Sequence, residues 1–102
     1  MIRVRCCRQA AQWELHLSGH AGTAPYGQDL VCAAVTALVC ALAKYLSEHG
    51  QSPTIRLNPG DAKITAKGEA FAPAFETVLA GLRLLSEEYP ESVDMRCEIS
   101  RI

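Results

Sequence analysis

Cys32 and His20 are the two residues whose types and spacing suit covalent chemistry. They flank one stretch, Gly19-His20-Ala21-Gly22-Thr23-Ala24-Pro25-Tyr26-Gly27-Gln28, and Cys32 follows it after Asp29, Leu30 and Val31. A thiolate is a strong nucleophile, and an imidazole within hydrogen-bond reach takes its proton, so a Cys-His pair can divide an acyl transfer into two easier steps. The glycines Gly19, Gly22 and Gly27 would let a substrate backbone approach closely. The same residues also have a plain structural reading, with Cys32 a small buried hydrophobe and His20 a loop residue that caps a backbone group.

Those side chains need elements to hold them. From Asp29 the apolar residues Val31, Val35, Leu38, Val39, Leu42 and Leu46 recur at steps of three and four, the stripe of an amphipathic helix. Asp29 is a good N-cap and Gly50 a good C′ residue, which brackets the helix over 29–49 and makes 19–28 a loop. Cys32 is then expected in the first turn, where unpaired N–H groups and the helix dipole favour a thiolate and can hold an oxyanion. The loop can fold His20 back onto it, with Tyr26 as an apolar cover over a bound chain. Asp29 is a candidate for capping the helix or for orienting the loop; its own charge opposes a thiolate nearby.

Ahead of the loop, Ile2, Val4 and Cys6 alternate with Arg3, Arg5 and Cys7, and Trp13, Leu15 and Leu17 alternate with Glu14, His16 and Ser18. These are two period-two strands joined by a hairpin turn within Arg8 to Gln12. Beyond the helix, Thr54 to Leu57 and Ala62 to Lys67 flank Asn58-Pro59-Gly60-Asp61 as a second hairpin. Pro73 opens a second helix with Phe75, Val78, Leu79, Leu82 and Leu85 on one face, stopped by Pro90. Val93, Met95, Cys97 and Ile99 alternate with Asp94, Arg96 and Glu98 as a fifth strand. Since each strand has one polar face, the fold class predicted is α+β in two layers: one mostly antiparallel sheet in ββαββαβ order, with two helices packed on one face.

The 102 residues, 49% hydrophobic and 21% charged, suit one domain spanning 1–102. Ten Lys and Arg against eleven Asp and Glu provide no basic field for a nucleic-acid backbone. The mostly apolar run Leu30 to Leu46 contains Lys44 and is diluted by Ala, Cys and Thr, so it reads as a buried helix and no membrane association is expected. The start, Met1-Ile2-Arg3-Val4-Arg5, lacks the apolar block of a secretory signal, and a cytoplasmic location is expected.

Five cysteines, none at Cys-x-x-Cys spacing, default to thiols in a reducing compartment. Cys6 and Cys7 are adjacent in a strand and point to opposite faces, one to the core and one to the surface. Cys40 lies about two helical turns beyond Cys32, too far to resolve it as a disulfide, and Cys97 reads as core. No closed ligand spacing appears, so no metal is expected. His16 falls on the polar strand face, and His49 suits the end of the first helix.

Gly19-His20-Ala21, followed by Gly27-Gln28-Asp29-Leu30-Val31-Cys32-Ala33-Ala34-Val35-Thr36-Ala37-Leu38, closely resembles the signature of the ribosomal-processing cysteine protease (Prp) family. The chain's length, its element order and the Tyr89-Pro90 pair suit the same family. The resemblance implies an endopeptidase that removes a short N-terminal extension from large-subunit ribosomal protein L-twenty-seven. It places the catalytic histidine on His20, the nucleophile on Cys32 and the motif's acidic residue on Asp29. Leu30 and Thr36 stand where many members have Ile and Ser, while Gly22-Thr23-Ala24-Pro25-Tyr26 is more individual to this chain. The reaction needs no cofactor. A homodimer is expected, both from the resemblance and because a domain this size with a one-faced sheet leaves apolar surface to cover. Two other readings stand beside the protease: a non-catalytic ribosome- or peptide-binding dimer in which Cys32 is incidental, and a redox-sensing thiol at Cys32.

Overall fold

The computed structural model describes residues 1–19, 26–50 and 52–100, with the backbone alone for residues 26–29, 99 and 100. The elements run β1 (Ile2–Gln9), β2 (Gln12–Ser18), α1 (Tyr26–His49), β3 (Thr54–Asn58), β4 (Asp61–Lys67), α2 (Ala72–Glu88) and β5 (Val93–Ser100), with a short 3-10 turn at Glu69–Phe71 leading into α2. The five strands form one sheet in the order β3-β4-β2-β1-β5. Three of the four pairings are antiparallel, and β1 with β5 is parallel. The predicted α+β fold in ββαββαβ order is the one observed.

The alternation read from the sequence sorts side chains as expected. Val4, Cys6, Trp13, Leu15, Leu17, Ile64 and Ala66 are buried on one face of the sheet. Val31, Val35, Val39, Leu42 and Leu46 of α1 and Phe75, Val78, Leu79 and Leu82 of α2 close over them to make one core. Leu30–His49 is long and apolar enough to cross a membrane by length and composition, but its valine and leucine stripe lies against the sheet. Trp13 stacks on Phe75 with ring centroids 5.3 Å apart, and the Arg8 guanidinium lies 4.7 Å from the Trp13 ring centre. Gly81 brings the two helices together, since a Cβ there would meet the side chain of Leu38 at 3.0 Å.

The other sheet face is polar and ordered by register. Arg96, Arg5, His16, Lys63 and Arg56 stand in one row across all five strands. Each finds an acid in a neighbouring row: Arg5 and Arg96 meet Asp94 at 3.0 and 3.8 Å, His16 and Arg56 meet Asp61 at 2.9 and 2.8 Å, and Lys63 meets Glu14 at 3.5 Å. Charge on this face is therefore cancelled locally.

Two expectations change. Helix α1 starts at Tyr26, three residues before the expected N-cap, so Asp29 lies inside its first turn and is not the N-cap, and Tyr26 and Gly27 belong to the helix instead of the loop. Periodicity missed this because the first turn, Tyr-Gly-Gln-Asp, offers no apolar repeat. Cys32 consequently occupies the second turn. Met95 and Cys97 are only half-buried, because β5 is an edge strand with a neighbour on one side.

Candidate active site

The last described residue before His20 is Gly19, and its geometry is tightly set. Its φ is +89°, a conformation L side chains rarely adopt, and a Cβ would collide with the backbone carbonyl of Met1. Its N–H donates to the Gly60 carbonyl at 2.9 Å. The turn between β3 and β4, where Gly60 itself has φ of +73°, therefore holds the end of β2 in place.

That turn is also one wall of a cavity of about 410 Å³. Leu57, Asn58, Pro59 and Ala62 form the turn side; Val35, Thr36, Val39 and Cys40 face them from α1; Ile2, Leu17 and Gly19 lie at the base. Cys32, half-buried, lines the same cavity. Most of these side chains are apolar, and the volume falls in the range typical of small-ligand and side-chain pockets. Cys32 and Cys40 thus both line this cavity, together with Gly19 at the strand end that runs into His20, and Cys32 is the one nearer the start of α1. His20, Gly22 and the remainder of residues 20–25 lie outside the described residues, as do the side chains of Tyr26 and Asp29.

The position of Cys32 alters the chemistry expected of it. A helix dipole acts mainly within the first turn, and Cys32 is the seventh residue of α1. Help with deprotonation must then come from a nearby base more than from the helix end. Helical side chains lean toward the N-terminus, so the sulfur is directed back over the first turn, whose backbone N–H groups have no partner inside the helix.

The remaining thiols sort by surroundings. Cys7 and Cys40 are exposed, Cys97 is half-buried and Cys6 is buried. Burial, with Cys97 beside it, pushes the Cys6 thiol up to about 12 and keeps it protonated near neutrality. His16 lies on the open sheet face with Nε2 2.9 Å from Asp61 Oδ1. That hydrogen bond and the Arg56 guanidinium hold the Asp61 carboxyl below the usual aspartate range. His49 ends α1 and stacks on Tyr45, centroids 4.5 Å apart.

The sequence reading missed the wall opposite Cys32. Nothing in Leu57-Asn58-Pro59-Gly60 marks it as part of a site, because its role depends on how α1 crosses the sheet. Thr36 and Cys40 were missed as well, although steps of four and eight residues from Cys32 place them on one helix face and offer a signal for them.

The family model described as cysteine protease Prp matches residues 1–94. Among solved structures, the ribosomal processing protease Prp from S. aureus, in complex with a covalently linked product peptide, superposes with a TM-score of 0.79 at 22% identity, covering 96% of this chain and 100% of that one. The same protease with a substrate peptide gives 0.80 at 21% identity, with the same coverage. SMU.848 from Streptococcus mutans gives 0.76 at 28% identity over 98% of this chain and 96% of that one. No curated protein matches. With its fold shared along nearly its whole length and the family model spanning all but its last residues, the chain belongs to the cysteine protease Prp family and is a cysteine protease.

Proposed function

We propose that this protease removes a short N-terminal extension from large-subunit ribosomal protein L-twenty-seven, with Cys32 as nucleophile and His20 as its base. The observation that carries this reading is the placement of Cys32 on the wall of an apolar cavity whose base includes Gly19, the residue before His20. Relatives described as ribosomal processing proteases, bound to substrate or product peptides, support the substrate class.

The chemistry follows from those residues. Cys32 Sγ attacks the scissile carbonyl carbon while His20 takes the thiol proton. The oxyanion is held by unpaired N–H groups at the start of α1, toward which the sulfur leans. His20 then returns its proton to the leaving amine, and a water molecule it deprotonates hydrolyses the thioester. Asp29 serves in orienting this end of the helix and its loop. The cavity takes apolar side chains of the substrate next to the scissile bond. No cofactor enters any step.

The protein works in the cytoplasm, where ribosomal proteins are made and assembled, and as a homodimer. Leu30, 72% exposed, stands on the outer face of α1 beside exposed Ala33, Ala37 and Ala41, an apolar strip suited to a second copy.

The test is cleavage of an extended L-twenty-seven, followed by mass spectrometry. Cys32→Ala and His20→Ala are each expected to abolish product without loss of fold, and the double variant to be no worse. Turnover retained by either single variant contradicts the pair.

A further inference from the structure

Apart from Cys32, two of the five thiols are brought together by the fold. Cys6 on β1 and Cys97 on β5 are direct register partners across the parallel pairing. Neighbouring strands lie about 4.8 Å apart, inside the Cα separation that a disulfide spans. Register partners of a parallel pair project from the same face of the sheet, here the face that carries the core. The two thiols therefore stand side by side on that face, near enough that Cys97 helps raise the Cys6 pKa.

Their exposure differs in a way that assigns roles. Cys6 is 3% exposed, whereas Cys97 is half-buried on an edge strand. A small oxidant reaches Cys97 first and finds Cys6 waiting behind it. Cys7, next in sequence, points to the opposite face and is exposed, so it cannot compete for Cys97 without turning the strand over.

We propose that Cys6 and Cys97 form a reversible dithiol site that takes a hydroperoxide as oxidant and closes to a disulfide linking β1 to β5. In the first step Cys97 sulfur attacks one peroxide oxygen and the O–O bond breaks. The departing hydroxide takes up the thiol proton, which leaves water (or an alcohol, from an alkyl hydroperoxide) and a sulfenic acid on Cys97. In the second step Cys6 sulfur displaces the sulfenic hydroxyl, which takes the Cys6 proton and departs as water. Two electrons pass from the two thiols to the peroxide, and a later external thiol returns them by exchange.

The closed form clamps the edge strand. Along its length β5 pairs with β1 alone, and the disulfide adds a covalent tie at Cys97, the middle of the β5 segment that follows Val93. The reduced form leaves that strand held by hydrogen bonds and by its contact with α2. This site does not depend on the protease chemistry of Cys32.

The experiment treats the fully reduced, folded wild-type protein with stoichiometric hydrogen peroxide, blocks remaining thiols with iodoacetamide, and maps peptides by mass spectrometry with and without dithiothreitol. The expected result is a Cys6–Cys97 cross-linked peptide, a loss of about 2 Da for the two hydrogens removed, restored by dithiothreitol. Slower amide exchange in β5 should accompany it. Cys97→Ser should abolish the cross-link and leave Cys6 unmodified, and Cys6→Val should leave Cys97 as a sulfenic acid that dimedone traps. Several outcomes overturn the proposal: no cross-link at a peroxide dose that oxidises other thiols, the same cross-link yield in urea-unfolded chain, or sulfinic acid on Cys97 with Cys6 still present and reduced.

Discussion

Gly19 donates its N–H to the carbonyl of Gly60 at 2.9 Å, which ties the end of β2 to the turn that walls the Cys32 cavity. Both ends of this bond sit at positive φ, so the contact depends on glycine's freedom at two points. Gly19→Ala should combine backbone strain of at least about 1 kcal/mol with a clash against Met1. Thermal denaturation should show a lower Tm, and cleavage should fall with it, since the segment entering His20 is displaced. An unchanged Tm and rate would mean that this strand end does not position the site.

The β1–β2 turn is tight, with only Ala10 and Ala11 between Gln9 and Gln12, and Ala10 has φ of +55°. A left-handed alanine costs roughly 1 kcal/mol, partly offset by the greater unfolded-state freedom of glycine. Ala10→Gly should therefore raise stability, by about 0.5 kcal/mol, in urea titration. A decrease would show that Arg8, whose Nε donates to the Ala10 carbonyl at 3.3 Å, already holds the turn without strain.

Much of the fold was readable because its pattern is local. Val4, Trp13, Leu15 and Ile64 alternate with charged neighbours, Pro73 lies in the first turn of α2, and Pro90 follows its end. The start of α1 was not, because Tyr26 to Asp29 have no apolar stripe and Asp29 imitates an N-cap. In the site, the signature around Cys32 was visible, whereas Thr36 and Cys40 went unread as lining residues although their spacing from Cys32 puts them on one helix face. The wall formed by Leu57 to Ala62 was not visible, since no local pattern tells which side of a sheet's hairpin a distant helix will cross.

Asp61 provides a test of the polar face in acid. Its carboxyl is held below the usual aspartate range, first by the hydrogen bond to His16 and then by Arg56. A carboxyl with a depressed folded pKa contributes stability above its unfolded pKa and loses it as pH falls through the folded one. Stability should thus drop below about pH 4, and Asp61→Asn should flatten that part of the profile while lowering stability slightly at neutral pH. Superimposable acid profiles for the two proteins would remove the ion pair from the account.

Cys6 predicts the opposite limb. Its folded value of about 12, raised by burial and then by Cys97, lies above that of an exposed thiol. The unfolded chain then gives up this proton first, so stability falls as pH rises above about 8.5, with the loss complete near the folded value. Cys6→Val should reduce the alkaline slope measured by urea unfolding at stepped pH. No change in slope would show that the thiol is not buried as described.

The central claim is that Cys32 is the nucleophile, and covalent capture tests it most directly. A peptide carrying the residues before the L-twenty-seven cleavage site and ending in a chloromethyl ketone should alkylate wild-type protein once. Peptide mapping should place the adduct on Cys32, and labelling should be lost in Cys32→Ala and slowed in His20→Ala. An adduct on Cys7, Cys40 or Cys97, or equal labelling of the Cys32→Ala protein, would contradict the account.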